Sequence, residues 1–92
     1  MIRLVLAESV TVDDLDDLAL RVGLVLMNII PAGDAHPAQI IHRTRDRQAL
    51  VHVINDPRAA SLIVVIQGPD EAETAALLRA GTVVAAQELV TA

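Results

Sequence analysis

Long apolar runs without alternation are the first feature of this chain. They span Ile2–Ala7, Leu24–Ile30 and Leu62–Ile66, and each is interrupted by at most one polar residue. Such runs are typical of strands that are covered on both faces, as in a parallel sheet. Between the first two runs, apolar residues recur at helical spacing, and the same occurs after the third. The pattern therefore predicts strands that alternate with helices.

Start and stop signals bound the two helical segments. Thr11, with Asp14 three residues later, forms an acidic variant of the capping box, and Gly23 supplies a C-terminal cap. The second helix begins near Asp70, where carboxylates meet the positive end of the helix dipole, and Gly81 ends it. Both segments are therefore predicted as helices with defined ends.

The middle of the chain fits two interpretations. Pro31–Pro37 is a turn-rich loop, and Gln39–His42 adds a short extended piece. Ala49–Ile54 fits a helical stripe, with Thr44 or Asp46 as its N-cap, but these residues are also β-branched enough for a strand. We favour a helix, because helices and strands then alternate along the chain.

Together these elements predict one α/β domain over residues 1–92. Its fold class is a small three-layer, flavodoxin-like parallel sheet of four to five strands, with right-handed helical crossovers. Thr82–Ala86 is the last strand, and residues 87–92 form a frayed turn or the stump of another helix. The alternative is a ferredoxin-like α+β sandwich, in which Leu24–Ile30 and Gln39–Thr44 pair as a hairpin.

Composition and charge narrow the classes of partner. The chain is 53% hydrophobic but has no Phe, Tyr or Trp, so nucleic-acid bases find no aromatic side chain to stack on. Its net charge of −5 also disfavours nucleic acid as a partner. So many aliphatic residues in a short chain favour apolar surface left over for association. We expect a homodimer, and a further protein partner is compatible with the same surface.

The sequence gives little indication of a metal, a cofactor or a membrane span. The chain has no cysteine, so it has no disulfides and no thiolate metal site. The spacings between His36, His42 and His52 match no compact zinc pattern. The N-terminal apolar run is too short to span a membrane and lacks a signal-peptide cleavage pattern. We therefore expect a cytoplasmic protein with no cofactor, metal or membrane partner.

One serine and three arginines are the candidates for chemistry. Ser9 follows the first strand at its carboxyl end, where open α/β sheets place their ligands. Arg43, Arg45 and Arg47 alternate, so on an extended segment they share one face that can hold an anion. A lone serine at a strand end is far more common as a turn residue, and charged runs are more common as solvated surface. Gly68, at the start of the second helix, is a weak phosphate site, since acidic residues follow it.

Three stretches carry a resemblance that covers most of the chain. They are DRQAL at 46–50, the leucine-rich helix that ends in RAGTVV at 79–84, and the first strand with Ser9 after it. These stretches resemble the N-terminal domain of serine recombinases of the resolvase/invertase type. Where that family has an Asp-Arg-x-x-Arg segment, this chain has QGPDE at 67–71, with acids in place of arginines. The resemblance implies the fold and a dimer, without the reaction.

Two hypotheses about function follow. The first is a non-catalytic α/β interaction or regulatory module that self-associates, through a bare sheet face near Leu24–Ile30 or through the open edge strand Thr82–Ala86. The second is a phosphoryl-transfer enzyme, similar to serine recombinases, that uses Ser9 with Arg43, Arg45 or Arg47. We favour the first, because the chain lacks a catalytic constellation and is rich in aliphatic residues.

Overall fold

The computed structural model describes residues 1–44, 49–80 and 86–90, the last of these through the backbone alone. Its strands are β1 (Ile2–Leu6), β2 (Leu24–Ile30), β3 (Ala38–Thr44), β4 (Leu50–Asn55), β5 (Ile63–Gln67) and β6 (Ala86–Val90). Its helices are α1 (Val12–Val22) and α2 (Glu71–Ala80). The six strands form one sheet in the order β2-β3-β4-β5-β1-β6, and every neighbouring pair is antiparallel.

The antiparallel sheet shows that the predicted parallel, three-layer flavodoxin-like fold is wrong. The decisive element is β4, because we favoured a helix at Ala49–Ile54 and the chain forms a strand there. That strand pairs with β3 on one side, where Ile41 lies opposite His52, and with β5 on the other, where Ile54 lies opposite Ile63. Because a strand and not a helical crossover joins β3 to β5, each strand from β3 to β5 turns back on the one before it, and neighbouring strands are antiparallel.

Two other connections differ from the prediction. β2 and β3 pair as a hairpin, with Leu24 opposite Thr44, which is the pairing that the ferredoxin-like alternative predicted. Helix α2 connects β5 to β6, and β1 lies between those two strands, which makes a split β-α-β unit. The C-terminal segment, predicted as a turn or a helix, is the edge strand β6 at Ala86–Val90. Most of the strand predicted at Thr82–Ala86, and the cap at Gly81, lie outside the described residues.

Helix α1 has the boundaries that its sequence predicts. The backbone N–H of Thr11 donates to Oδ2 of Asp14 at 2.8 Å, and the N–H of Asp14 donates to Oγ1 of Thr11 at 3.2 Å, so the capping box is complete. Gly23 adopts φ 79°, in the left-handed region, and its N–H donates to the carbonyl of Ala19. A residue with a Cβ is strained in that conformation, which explains the glycine.

Both helices pack on the same face of the sheet, so the fold has two layers. In α1 the buried stripe is Leu15, Leu18 and Ala19, and in α2 Ala75 and Leu78 are buried. They meet alternate residues of the central strands, which are Ile2, Leu4, Leu6, Val51, Val53, Val64 and Ile66. The hydrophobic core is therefore built from aliphatic side chains and lies between the helices and the middle of the sheet.

Candidate functional site

A second apolar surface lies on the face of the sheet opposite the helices. Along β5, Val64 and Ile66 are buried against the helices, whereas Ile63 and Val65 alternate with them and are only partly buried. The helices contact each other and the sheet on one side only among the described residues, so nothing described there covers the other side. We call this uncovered surface of β1 to β5 the outer face.

Cross-strand registers define the outer face. Residues directly opposite in an antiparallel pair share a face, so the row through Ile63 contains Val5 and Ile54, and it continues to Gln39 and Ile30. The aliphatic members of the whole face are Val5, Val25, Ile30, Ile41, Leu50, Ile54, Ile63 and Val65. Its polar members are Arg3, Asn28, Gln39, Arg43, His52 and Gln67. More than half of the positions are therefore aliphatic.

Two polar side chains in the middle of the outer face satisfy each other. Gln39 on β3 and His52 on β4 lie with Nε2 of the amide 3.2 Å from Nδ1 of the imidazole, in a partly buried contact. Because the amide nitrogen can only donate, Nδ1 accepts and the imidazole proton is on Nε2. Because they bond to each other, the two residues leave fewer polar atoms without a hydrogen bond within the aliphatic surface.

The hairpin loop adds a shallow concavity at one end of the outer face. The N–H of Gly33 donates to the carbonyl of His36 at 3.0 Å, which folds the loop between β2 and β3 back on itself. The concavity has a volume of about 280 Å³, and it is lined by Ile30, His36, Pro37, Gln39 and Ile54. Its lining is continuous with the row of residues through Ile63.

Charge is divided between the two sides of the molecule. The outer face of β1 to β5 carries Arg3 and Arg43 and has no acidic position. Six of the 12 acidic residues lie on the helices, which are Asp13, Asp14, Asp16 and Asp17 on α1 and Glu71 and Glu73 on α2. The chain has a net charge of −5, but the charged side chains on the outer face of β1 to β5 are all basic.

A groove lies beside α1 on the helix side of the sheet. Its volume is about 300 Å³, and we call it the α1 groove. It is lined by Asp16, Ala19 and Leu20 of α1, Leu24, Leu26 and Ile29 of β2, and Ile40 and His42 of β3. Its lining is aliphatic apart from one carboxylate and one imidazole.

His42 is the buried polar residue of the α1 groove. Its side chain is 7% exposed, and its Nδ1 has no hydrogen-bond partner. Burial lowers the pKa of His42, because desolvation penalises the charged imidazolium, while the carboxylate of Asp16 acts in the opposite direction. His42 is therefore neutral at pH 7.

The predicted catalytic residues are spread over the molecule. Ser9 is exposed in the turn after β1, at the end of the sheet where the N–H of Leu6 donates to the carbonyl of Leu62. Arg43 is exposed at the opposite end, on β3, on the order of 20 Å away by strand spacings. Arg45 and Arg47 lie outside the described residues. Ser9 and Arg43 thus do not share a site.

The described part of the chain contains neither a metal cluster nor a membrane-spanning helix. Across residues 1–44 and 49–80, no three histidine or acidic side chains come together as a metal site requires. His42 lies on the helix side of the sheet, and His52 lies on the outer face. Neither α1 nor α2 is long and apolar enough to cross a membrane.

The outer face was missed from the sequence because both faces of the strands are aliphatic. In β5 the run IVVIQ shows no alternation, so it matched a strand buried on both sides. One signal in the sequence does mark the outer face. Polar residues share its alternate positions with aliphatic ones, as Gln39 and Arg43 do two residues before and after Ile41. His52 within Leu50–Asn55 is a second example.

No protein-family model matches this chain, and no curated protein or solved structure was found to match it. The resemblance to serine recombinases therefore stays a prediction from the sequence. The parallel sheet that accompanied it is the part that the structure overturns.

Proposed function

We propose that this chain is an interaction module that self-associates through the outer face. The observation that carries the proposal is the row of aliphatic side chains through Val5, Ile63 and Ile54, on a surface that the described helices leave open. Such a sheet face is stabilised when it packs on another surface, at about 10 Å for sheet on sheet. A second copy offers the same face, and a two-fold contact is the commonest form of oligomer.

The outer face has the area that a weak dimer needs. Five strands about 4.8 Å apart and three side-chain rows about 6.8 Å apart give roughly 500 Å² per copy. Two copies then bury about 1,000 Å², which is near the lower limit for specific interfaces. At about 25 cal/mol/Å² for the aliphatic part, the gross gain is on the order of 15 kcal/mol, against association costs of about 4–15 kcal/mol. We therefore expect a dimer that dissociates on dilution.

The face is a better contact than the edge at β2. The register of β2 against β3 shifts between Leu26 and Asn28, so this edge is not a regular ladder. The N–H of Ile29 also donates to Oδ1 of Asn28 at 2.9 Å, which occupies a backbone donor of the edge strand. Bulges and occupied donors both hinder pairing with the edge of a second sheet. Self-association through the face needs neither group.

Basic residues give the proposed dimer a distinctive response to salt. Each copy brings Arg3 and Arg43 to the interface and no carboxylate from the outer face of β1 to β5. Like charges repel, and salt screens that repulsion. The dimer should therefore tighten as salt rises, whereas binding of an acidic partner to the same face should weaken.

Sedimentation equilibrium tests the proposal. The wild-type chain should show a monomer–dimer equilibrium at micromolar concentration, with a lower dimer Kd at about 0.5 M than at about 0.05 M NaCl. Ile63→Asp puts a charge in the middle of the aliphatic row and should leave a folded monomer. Leu77→Asp is the matched control, since Leu77 is an exposed apolar residue of α2 on the other side of the sheet.

Circular dichroism of each variant separates loss of association from loss of folding. If the wild-type chain is monomeric at all concentrations, self-association is wrong. If Leu77→Asp disrupts the dimer and Ile63→Asp does not, the interface is on the helix side instead.

A further inference from the structure

We propose that the α1 groove binds a basic amphipathic helix of another protein. This site is separate from the outer face and does not depend on the dimer proposed above.

The helix layer is narrower than the sheet. Six strands about 4.8 Å apart place the first and last strand axes about 24 Å apart, whereas two packed helix axes lie about 8–10 Å apart. The edge strand β2 consequently projects beyond α1. Leu26 and Ile29, on the helix side of β2, are 52% and 60% exposed. No residue in the described part of the chain covers this strip, so we infer that one further helix can lie along it.

The walls of the groove suit the apolar stripe of such a helix. Leu20 on α1 is 81% exposed and faces the groove opposite Ile29, while Leu24 and Ile40 at the floor pack against the core. Exposed leucines and isoleucines on two sides of one channel are typical of helix-in-groove recognition, in which anchor residues at helical spacing enter from above. Strand β2 has seven residues, so it is about 23 Å long and can lie along about four helical turns.

Charge along α1 sets the chemistry of the partner. Asp16 lines the groove, and Asp13 lies three residues earlier on the same side of the helix. Both side chains are exposed and would meet the flank of a helix bound beside α1. Lysine or arginine on that flank pairs with them, whereas glutamate is repelled. The complementary partner is therefore basic along one edge of its apolar stripe.

His42 adds a polar contact at the floor. Its unpartnered Nδ1 lowers the stability of the unbound protein, because a buried polar atom without a hydrogen bond has lost its hydration and gained no partner. The neutral imidazole can accept an N–H at Nδ1 when its own proton is on Nε2. That nitrogen is closed to solvent in the free protein, so a lysine or arginine of the partner reaches it only after a side chain of the groove moves aside.

A second copy of this chain is a poorer occupant. The apolar stripes of its helices are already in its own core, where Leu15 and Leu18 are 8% and 2% exposed. The exposed side of its α1 carries aspartates, which would face Asp16. Its outer face is a five-stranded sheet, which is wider than a groove that holds one helix. Contact between two different surfaces also generates open filaments rather than a closed dimer.

A display library of amphipathic helices tests the proposal against the whole chain. The library fixes leucine or alanine at i, i+3, i+4 and i+7 and randomises both flanks among acidic, basic and neutral residues. Selection uses the wild-type chain, with Ile29→Asp as the counter-target. The recovered helices should carry lysine or arginine on one flank, and a synthetic copy should bind at least about tenfold less tightly to Ile29→Asp.

Further variants locate the contact. Asp16→Asn should weaken binding about three- to tenfold, and Leu20→Ser, at the most exposed wall residue, should weaken it without affecting folding. Leu77→Asp and Ile63→Asp should bind the peptide like the wild type, which keeps this site distinct from the dimer interface. The proposal is overturned if no helix survives the counter-selection, or if the recovered flanks show no basic bias. It is also overturned if Ile29→Asp changes the oligomeric state, since the occupant is then a second copy.

Discussion

Gln39 and His52 join neighbouring strands in the middle of the outer face, with 3.2 Å between Nε2 of the amide and Nδ1 of the imidazole. This contact gives Nδ1 of His52 a partner, which it would otherwise lack in the proposed dimer, where the outer face is closed to water. A buried polar group left without a partner costs about 1–3 kcal/mol.

Loss of the Gln39 amide should therefore weaken the dimer. We expect Gln39→Ala to raise the dimer Kd at least about 30-fold, because both copies carry the substitution and each leaves one His52 without its partner. His52→Ala on top of it should add little, because the two residues act as a pair. Asn28→Ala is the control, since Asn28 lies at the rim of the same face and bonds to its own strand. Sedimentation equilibrium gives each Kd. Equal and additive effects of Gln39→Ala and His52→Ala would argue against a buried pair.

The two faces of β5 should differ in their sensitivity to truncation. Ile66 is 0% exposed in the core, and Ile63 lies on the outer face. Ile66→Ala should cost about 2–5 kcal/mol, which is most of the stability of a small domain, and Ile63→Ala should cost much less when the protein is dilute. Urea unfolding measures both. A parallel sheet covered on both faces, as first predicted, would make the two substitutions equally costly.

The N-terminal cap of α1 should be more sensitive than the serine that precedes it. Thr11 accepts from the N–H of Asp14, so Thr11→Ala should lower the free energy of unfolding by about 1 kcal/mol. Ser9 is exposed in a turn, and Ser9→Ala should leave that energy nearly unchanged. Urea unfolding of both variants checks this. A large loss with Ser9→Ala would reveal a role for Ser9 that the described contacts do not contain.

Acid should weaken the fold through His42. Burial lowers the pKa of this residue below its ordinary value of 6.5, so the unfolded state binds more protons than the folded state as the pH falls below that value. The contribution of the neutral His42 to the free energy of unfolding is then complete above about pH 6.5. It declines as the pH drops towards the pKa of His42 in the folded state.

Two variants isolate the contribution of His42. Urea unfolding at several values between pH 7 and pH 5 should show a smaller decline for His42→Leu than for the wild type. Asp16→Asn should show a larger one, because the Asp16 carboxylate is the group that opposes the shift. An unchanged decline in His42→Leu would assign the acid sensitivity to other groups.

Local features of this fold could be predicted because their signals are short-range. The capping box at Thr11, the left-handed Gly23 and the strand at Leu24–Ile30 depend on residues within one or two turns of each other. Whether neighbouring strands are parallel depends instead on one segment, Ala49–Ile54, whose state is set by distant strands. A helix at Ala49–Ile54 predicts that the strands on either side of it are parallel, whereas the strand found there makes neighbouring strands antiparallel.

The candidate surfaces could be predicted only in part. Exposure of Leu26, Met27 and Ile29 on β2 agrees with the expectation of a partly bare sheet near Leu24–Ile30. The outer face itself was hidden, because Ile63 and Val65 have the same aliphatic character as the core residues between which they alternate. Burial of one face of a strand leaves a clear sequence pattern only when the other face is polar.

Isotope-filtered NOEs between two copies test the self-association through the outer face most directly. A dimer made from equal amounts of labelled and unlabelled chain reports only contacts that cross the interface. The account predicts intermolecular NOEs between methyl groups of Ile41, Ile54 and Ile63, and none from Leu77 on α2. Intermolecular NOEs confined to α1, α2 or the edge strand β2 would contradict it.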